Sequence, residues 1–220
     1  MRLLPALLAV PLLVAATPAR DWSATVTPLP SGAWVIGNPA ARVKLVEWGS
    51  YTCPHCAHFA AESRAVLEDR MIRSGSTSLE VRHLIRDPLD LAAVVIARCG
   101  GPRGFVRRHH AIFDGQAGWL QQGAAYLQAN AAALGKLPKP VAFRRIADGA
   151  GLTAIGKANS LTEPQVAACF ATPAALDRVA ALSTPPAEVT STPSFFVNGR
   201  PVQGVGWAGL EPVLTAAGAR

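Results

Sequence analysis

Charge is scarce in this 220-residue chain: Asp, Glu, Lys and Arg make up 16% of it, against 50% hydrophobic residues. So little charge argues for a packed globule and against intrinsic disorder. At this length one domain is expected, or one domain carrying a large insertion. Internal repeats are lacking, and so is any charge run long enough to form a tail. The net charge of +7 comes from scattered basic residues, so a soluble basic surface explains it and no nucleic-acid partner is expected. An unbroken membrane-length apolar run is also missing at the amino end. The stretch from Leu3 to Ala16 falls short of the ~20 residues a spanning helix needs, and Pro5 and Pro11 interrupt it. Between Met1-Arg2 and Thr17-Pro18-Ala19 it reads as a secretory signal over residues 1–19, cut after Ala19, with a retained anchor as the rival. No cysteine lies near it to carry a lipid.

Cysteine is sparse too, with four in the chain: Cys53, Cys56, Cys99 and Cys169. In the oxidising compartment that export implies, four can form two pairs. Cys99 and Cys169 each fall on an expected helix and are read as a structural disulfide, with two free thiols as the alternative.

The remaining pattern gives an order of elements. Residues 20–32, rich in Thr, Pro and Ser from Asp21 to Ser31, read as an extended arm. Ala33 to Ile36 is a short strand candidate, and Val43 to Trp48, bounded by Gly49, is a buried strand delivering the chain to Cys53. Cys56, Phe59, Ser63, Val66 and Leu67 recur at helical spacing up to Gly75. Leu79 to Ile85 reads as a second core strand ended by Asp87-Pro88. Residues 89–182 are alanine- and leucine-rich with repeated breaks, a block of several short helices. Ser194 to Val197, the turn Asn198-Gly199 and Arg200 to Gln203 carry the strongest hairpin signal in the chain. A last helix is expected from Trp207 to about Ala217. The class is therefore α/β with a mixed central sheet, built from residues 33–88 and 183–220, and an inserted helical domain over 89–182.

The run Cys53-Pro54-His55-Cys56 carries chemistry. Cysteines at i and i+3 of a helix start share a face and lie close enough to bridge. Pro54 suits the first helical position, which leaves Cys53 at the cap, facing unpaired amides and the positive end of the helix dipole. His55 adds a potential donor or cation. A thiolate stabilised in this way favours the reduced state over the disulfide, so the pair should be oxidising. Cys56, on the apolar face with Phe59, should act second. Haem attachment is disfavoured because position 57 is Ala. A structural zinc site is disfavoured because no second close Cys/His pair exists, so no metal and no cofactor are expected. A purely structural disulfide across so small a ring would stabilise little.

With these residues in place, the chain resembles the thioredoxin superfamily and, within it, the DsbA-like periplasmic dithiol oxidases. Cys53-Pro54-His55-Cys56 has that group's dipeptide, preceded by a strand and followed by a helix. Thr192-Pro193-Ser194-Phe195-Phe196-Val197-Asn198-Gly199 looks like its cis-proline strand and hairpin. Glu47, six residues before Cys53, looks like its buried acid. The resemblance implies a thioredoxin-like fold, a cis Pro193 facing the cysteines, and a Thr192 backbone available to an extended substrate. It also implies a Glu47 that exchanges protons with Cys56, with Arg82 or His83 as possible partners; a solvated Glu47 is the plain alternative. It further implies folding secreted proteins with free thiols as substrates, a quinone-linked membrane redox partner, and a periplasmic location. Thr192 before the proline also occurs in reductive and isomerising members, so a reductase or isomerase stays open, as does a redox-inert binding module or metal chaperone. Outside this resemblance, Arg107-Arg108-His109-His110 is read as a solvated helix face, since adjacent helical residues diverge by about a hundred degrees. Trp207 is a candidate lining of the substrate groove.

Overall fold

A computed structural model describes residues 20–202, 204 and 206–220. The expected signal over residues 1–19 and Gln203 of the expected hairpin lie outside the described residues. Among those described, six strands form one mixed sheet: β1 (Val26–Pro28), β2 (Trp34–Gly37), β3 (Val43–Gly49), β4 (Thr77–His83), β5 (Ser194–Val197) and β6 (Arg200–Val202), in the order β1-β2-β4-β3-β5-β6. β3 and β4 run parallel, and the crossover that parallel strands require is helix α1 (Pro54–Val66) with the wider helical turns Leu67–Ile72 after it. The other neighbours pair antiparallel. The class is α/β with a mixed sheet, as its β-branched runs and hairpin signal foretell.

Local chemistry accounts for these elements. Val43, Leu45 and Glu47 alternate towards one buried face of β3, while Lys44 is exposed. Asn198 (φ 49°) and Gly199 (φ 79°) both take positive φ in the two-residue β5–β6 turn, which is why Asn-Gly marks it. Sequence pattern and structure part at the arm: Val26–Pro28 pairs with β2 as an edge strand, a place where Pro28 is tolerated because no neighbour needs its missing N–H. β4 lies two residues earlier than the apolar run suggests, because Thr77 and Ser78 pair with Val43 and Lys44.

Between the two halves of the sheet lie α2 (Pro88–Arg98), α3 (Phe105–Asp114), α4 (Gln116–Leu134), α5 (Lys139–Gly149), α6 (Leu152–Ala158), α7 (Glu163–Cys169) and α8 (Pro173–Ala180). Every residue of α2 from Leu89 to Ala97 is buried, so this helix is the axis of the block. Its alanines let neighbours approach, and so does Gly149 on α5, where a Cβ would come within 2.3 Å of the Tyr126 ring. A final helix, α9 (Trp207–Ala217), packs on α1 and the sheet.

The basic run on α3 is not a solvated face. Arg108 is 1% exposed and donates to the carbonyls of Ala97 (2.9 Å), Gly101 (3.0 Å) and Arg103 (3.3 Å), while His109 is 4% exposed. The divergence that separates adjacent helical side chains also ensures that four in a row cannot all face water. Trp207 is likewise buried, against Phe59, and packs the core instead of lining a groove.

Cys99 and Cys169 form a disulfide across 70 residues, joining the carboxyl ends of α2 and α7. In the loop-entropy model a bridge of that span contributes about 4 kcal/mol. Replacing both by Ala should lower the urea midpoint, with m rising because the denatured chain without its cross-link exposes more surface. An unchanged midpoint would remove the bridge from any account of stability.

Candidate active site

β3 ends at Gly49, and the loop Ser50 to Thr52 carries the chain into α1 with Cys53 as its cap (φ −89°, ψ 119°) and Pro54 at the first helical position. The Cys53 carbonyl accepts from the amides of Cys56 (3.1 Å) and Ala57 (3.3 Å), so the first turn closes on the backbone of Cys53 itself. Cys53 and Cys56 are free thiols; Cys53 is 2% exposed and Cys56 fully covered. Pro54 and His55 form the exposed rim.

The two sulfurs are driven in opposite directions. Cys53 is held down to about 4, first by the hydrogen bond from Cys56, with Thr192 and the amides of Cys56 and His55 also lowering it against the cost of burial. His55 therefore acts on the sulfur through its backbone N–H, while its ring is exposed. Cys56 is pushed up, first by the same hydrogen bond seen from the other side, then by burial and the negative charge of Glu47. At neutral pH the site holds one thiolate and one thiol.

β5 supplies the facing wall. The Thr192–Pro193 peptide is cis, and the protonated Cys53 thiol donates to the Thr192 carbonyl at 3.2 Å. Phe195 packs against Phe59 of α1 in a tilted arrangement with ring centroids 4.5 Å apart, which fixes the strand against the helix. Thr192 and Pro193 thus lie across from Cys53, where the resemblance places them.

Glu47 is 4% exposed, and burial pushes its carboxyl up to about 8, with Glu68 and Cys53 adding repulsion. Its Oε1 has no hydrogen-bond partner. Gly49 makes the room, since a Cβ there would stand 3.1 Å from Glu47 Oε1 and 3.8 Å from Cys56 Sγ. Arg82 is not its partner: that guanidinium turns to Glu80, with Nε donating to Oε1 at 2.6 Å, because consecutive strand residues point to opposite faces. His83 lines the same small cavity as Glu47 without bonding to it.

Several residues that hold the site escaped notice in the sequence. Asp90, fully buried on α2, accepts from Ser50 Oγ (2.5 Å) and from the amides of Tyr51 (2.9 Å) and Arg86 (3.1 Å). Its carboxyl rises to about 6 through burial, opposed by those donors. Asp87 caps α2 and accepts from Thr52 Oγ1 at 2.8 Å. Gln116 of α4 donates through Nε2 to the carbonyls of Tyr51 (2.8 Å) and Cys53 (2.9 Å). Tyr51 hydroxyl lies 2.8 Å from His109 Nδ1. Asp87 before Pro88 is a legible helix start, whereas nothing in sequence marks Gln116.

Known proteins resemble this chain over most of its length. A family model described as thioredoxin matches residues 31–215. A relative in Rickettsia typhi, named provisionally as a protein-disulfide oxidoreductase, is 28% identical over 169 residues, covering 75% of this chain and 54% of that protein. A counterpart in Rickettsia prowazekii is 28% identical over 167 residues with the same shares, so the chain spans about half the length of these curated relatives. A crystal structure described as a protein-disulfide isomerase from Novosphingobium aromaticivorans superposes with TM-score 0.74 at 32% identity, covering 84% of this chain and 96% of that one. Wolbachia pipientis alpha-DsbA1 superposes with TM-score 0.66 at 19% identity over 86% of this chain and 92% of that one, a likeness of fold.

The depressed thiol has a consequence for stability. A thiol lowered from 9.0 to about 4 is deprotonated in the folded reduced protein and protonated in the unfolded one between those values. At this position the unfolded state then binds more protons, so the contribution of Cys53 to the stability of the reduced form is complete above pH 9 and is lost as pH falls through 4, while Cys56, pushed up in the folded state, opposes it only above pH 9. The disulfide form lacks this titration at Cys53. The difference in unfolding free energy, reduced minus oxidised, should therefore rise with pH across this window, measured by urea denaturation of each form. A flat difference would contradict the depressed thiol.

Proposed function

The chain belongs to the thioredoxin family, and from that premise we propose that it is an exported thiol-disulfide oxidoreductase that introduces disulfides into folding secreted proteins through Cys53 and Cys56. The place of Cys53 at the start of α1 supports this direction, since the hydrogen bond from Cys56 and the amides of Cys56 and His55 hold its thiol down, to about 4, while Cys56 is pushed up. Charge stabilisation on Cys53 exists in the dithiol and not in the disulfide, so it favours the reduced enzyme and makes the oxidised enzyme a donor of its disulfide.

The steps follow from the placement of the sulfurs. A substrate thiolate attacks the Cys53 sulfur of the oxidised pair, and the Cys53–Cys56 bond breaks with its electron pair going to Cys56, which takes up a proton. The substrate's second thiolate then attacks the substrate sulfur of the mixed disulfide, and Cys53 leaves as a stabilised thiolate. Two electrons pass from substrate to enzyme. Return of the enzyme to its oxidised form needs an electron acceptor, which we assign to a quinone-linked membrane partner. Thr192, across from Cys53, offers backbone to an extended substrate segment, in keeping with recognition by strand addition. Residues 1–19 act as the export signal in this scheme, and the periplasm is its destination.

A second reading, an isomerase or reductase, draws on the isomerase description of the Novosphingobium neighbour at 32% identity and on Thr192 before the cis proline.

Incubated with a reduced dithiol peptide, the oxidised protein should oxidise it stoichiometrically, and Cys53→Ser should abolish this. Cys56→Ala, treated with a peptide disulfide, should accumulate a mixed disulfide at Cys53 visible by mass spectrometry. A mixed disulfide located at Cys56 in Cys53→Ala with undiminished rate would reverse the assigned roles. An oxidised form in equilibrium with glutathione that resists reduction by millimolar thiol would select the reductive reading.

A further inference from the structure

The buried acid beneath the sulfurs leads to a second buried group. Parallel pairing sets Glu47 opposite Val81 and Gly49 opposite His83, so Glu47 and His83 point to one face of the sheet with the place of the missing Gly49 side chain between them. A cavity of about 10 Å³, room for a single water, is lined there by Glu47, Gly49, Tyr51, His83 and His109. His83 also lines a second cavity, about 20 Å³ and lined chiefly by polar surface, which reaches Arg98 and the exposed residues Ser31 and Thr184. His83 itself is 3% exposed.

Three polar atoms on these two cavities lack a hydrogen-bond partner among protein atoms: Glu47 Oε1, His83 Nε2 and Arg98 Nη1. An unsatisfied buried polar atom costs about 1–3 kcal/mol; the outer cavity is chiefly polar and suits water, while the inner one is mostly apolar and offers a water only the unpartnered atoms of Glu47 and His83 on its lining. The run acid, cavity, imidazole, cavity, surface is the arrangement a proton needs to leave a closed site.

We propose that both cavities hold water and that His83 joins them into a proton path between Glu47 and the surface at Ser31 and Thr184. This deepens the oxidoreductase reading and rests on it. When Cys56 resolves a mixed disulfide, its S–H proton passes to the Glu47 carboxylate. The Cys56 sulfur bonds to Cys53, and the Cys53–partner bond breaks with its electron pair on the partner's sulfur. Glu47 then gives its proton to the inner water; one nitrogen of His83 takes a proton from that water as the other releases one outward. The net result is one proton delivered to solvent. With its carboxyl raised to about 8, Glu47 is mainly protonated at neutral pH and must discharge before it can accept. The groups facing His83 are Glu47 from β3, the Tyr51 ring at 5.7 Å from the loop, Arg98 from α2, His109 from α3 and Arg82 beside it on β4. Burial and the Arg98 charge keep the imidazole neutral, with a pKa of about 3, so it passes a proton without retaining it.

His83 is thus a positioning residue that acts through Glu47. Reduced full-length protein is mixed with oxidised glutathione, and two steps are followed by acid quench and mass: formation of the glutathione adduct on Cys53, and its resolution by Cys56. His83→Phe, which blocks the path, and Gly49→Ala, which fills the inner cavity, should each leave adduct formation unchanged and slow resolution at least about tenfold, below the range of a direct general base. The solvent deuterium isotope effect on resolution should grow in both. Resolution at the wild-type rate in both variants overturns the path. Slowing in Glu47→Gln but in neither of the others overturns the path while leaving the acid's role intact, and absence of adduct on wild-type Cys53 overturns the oxidoreductase reading itself. Should a variant fail to fold, a high-resolution crystal structure of the wild type decides, since ordered water in both cavities supports the path and dry cavities overturn it.

Discussion

A negative sulfur at the start of α1 is tolerable because Cys56 and the amides of the first turn bear on it, and they do so only while the loop before Cys53 keeps its shape. Displacement of the loop by an ångström would cost the alignment of several hydrogen bonds at once, because they weaken steeply with angle. Much of the surrounding structure can be understood as restraint on residues 50–53.

Most of that restraint comes from the inserted helices. Asp87 and Asp90 grip Ser50, Tyr51 and Thr52 from the amino end of α2, Gln116 holds two carbonyls from α4, and His109 meets the Tyr51 hydroxyl from α3. The sheet alone delivers Cys53 to the right place; the helical block fixes its orientation. The disulfide between α2 and α7 ties that block together at the end away from the loop. Burial of Asp90 is unfavourable for its charge, and its three donors offset that cost where they also order the loop.

Residues whose role is set by local spacing were legible in the sequence. Cys53, Pro54 and Cys56 announce a capped helix, Asn198-Gly199 a hairpin, and the run from Trp207 to Ala217 a helix with the bounds the structure gives it. Groups whose role depends on packing between distant elements were not. Gln116 looks like any helix-start amide, and Arg108 like any surface cation, until the carbonyls they serve are brought up by chain 63 residues away in one case and 11 in the other. Glu47 stands between these: its place before Cys53 marks it, but its isolation from Arg82 follows from strand alternation and from Glu80 as a nearer partner. The edge strand β1 was missed because three residues carry no usable period.

Cys53 low, Cys56 high and Glu47 high form one electrostatic arrangement, in which these three groups share a single negative charge at neutral pH and it rests on the Cys53 sulfur. The direct test is the rate at which iodoacetamide alkylates Cys53 in the reduced protein as a function of pH. The account predicts a rate that rises with a midpoint of about 4 and is flat through neutral pH, with Cys56 unreactive throughout. A midpoint near 9, or a Cys53 that the reagent cannot reach at any pH, would contradict it.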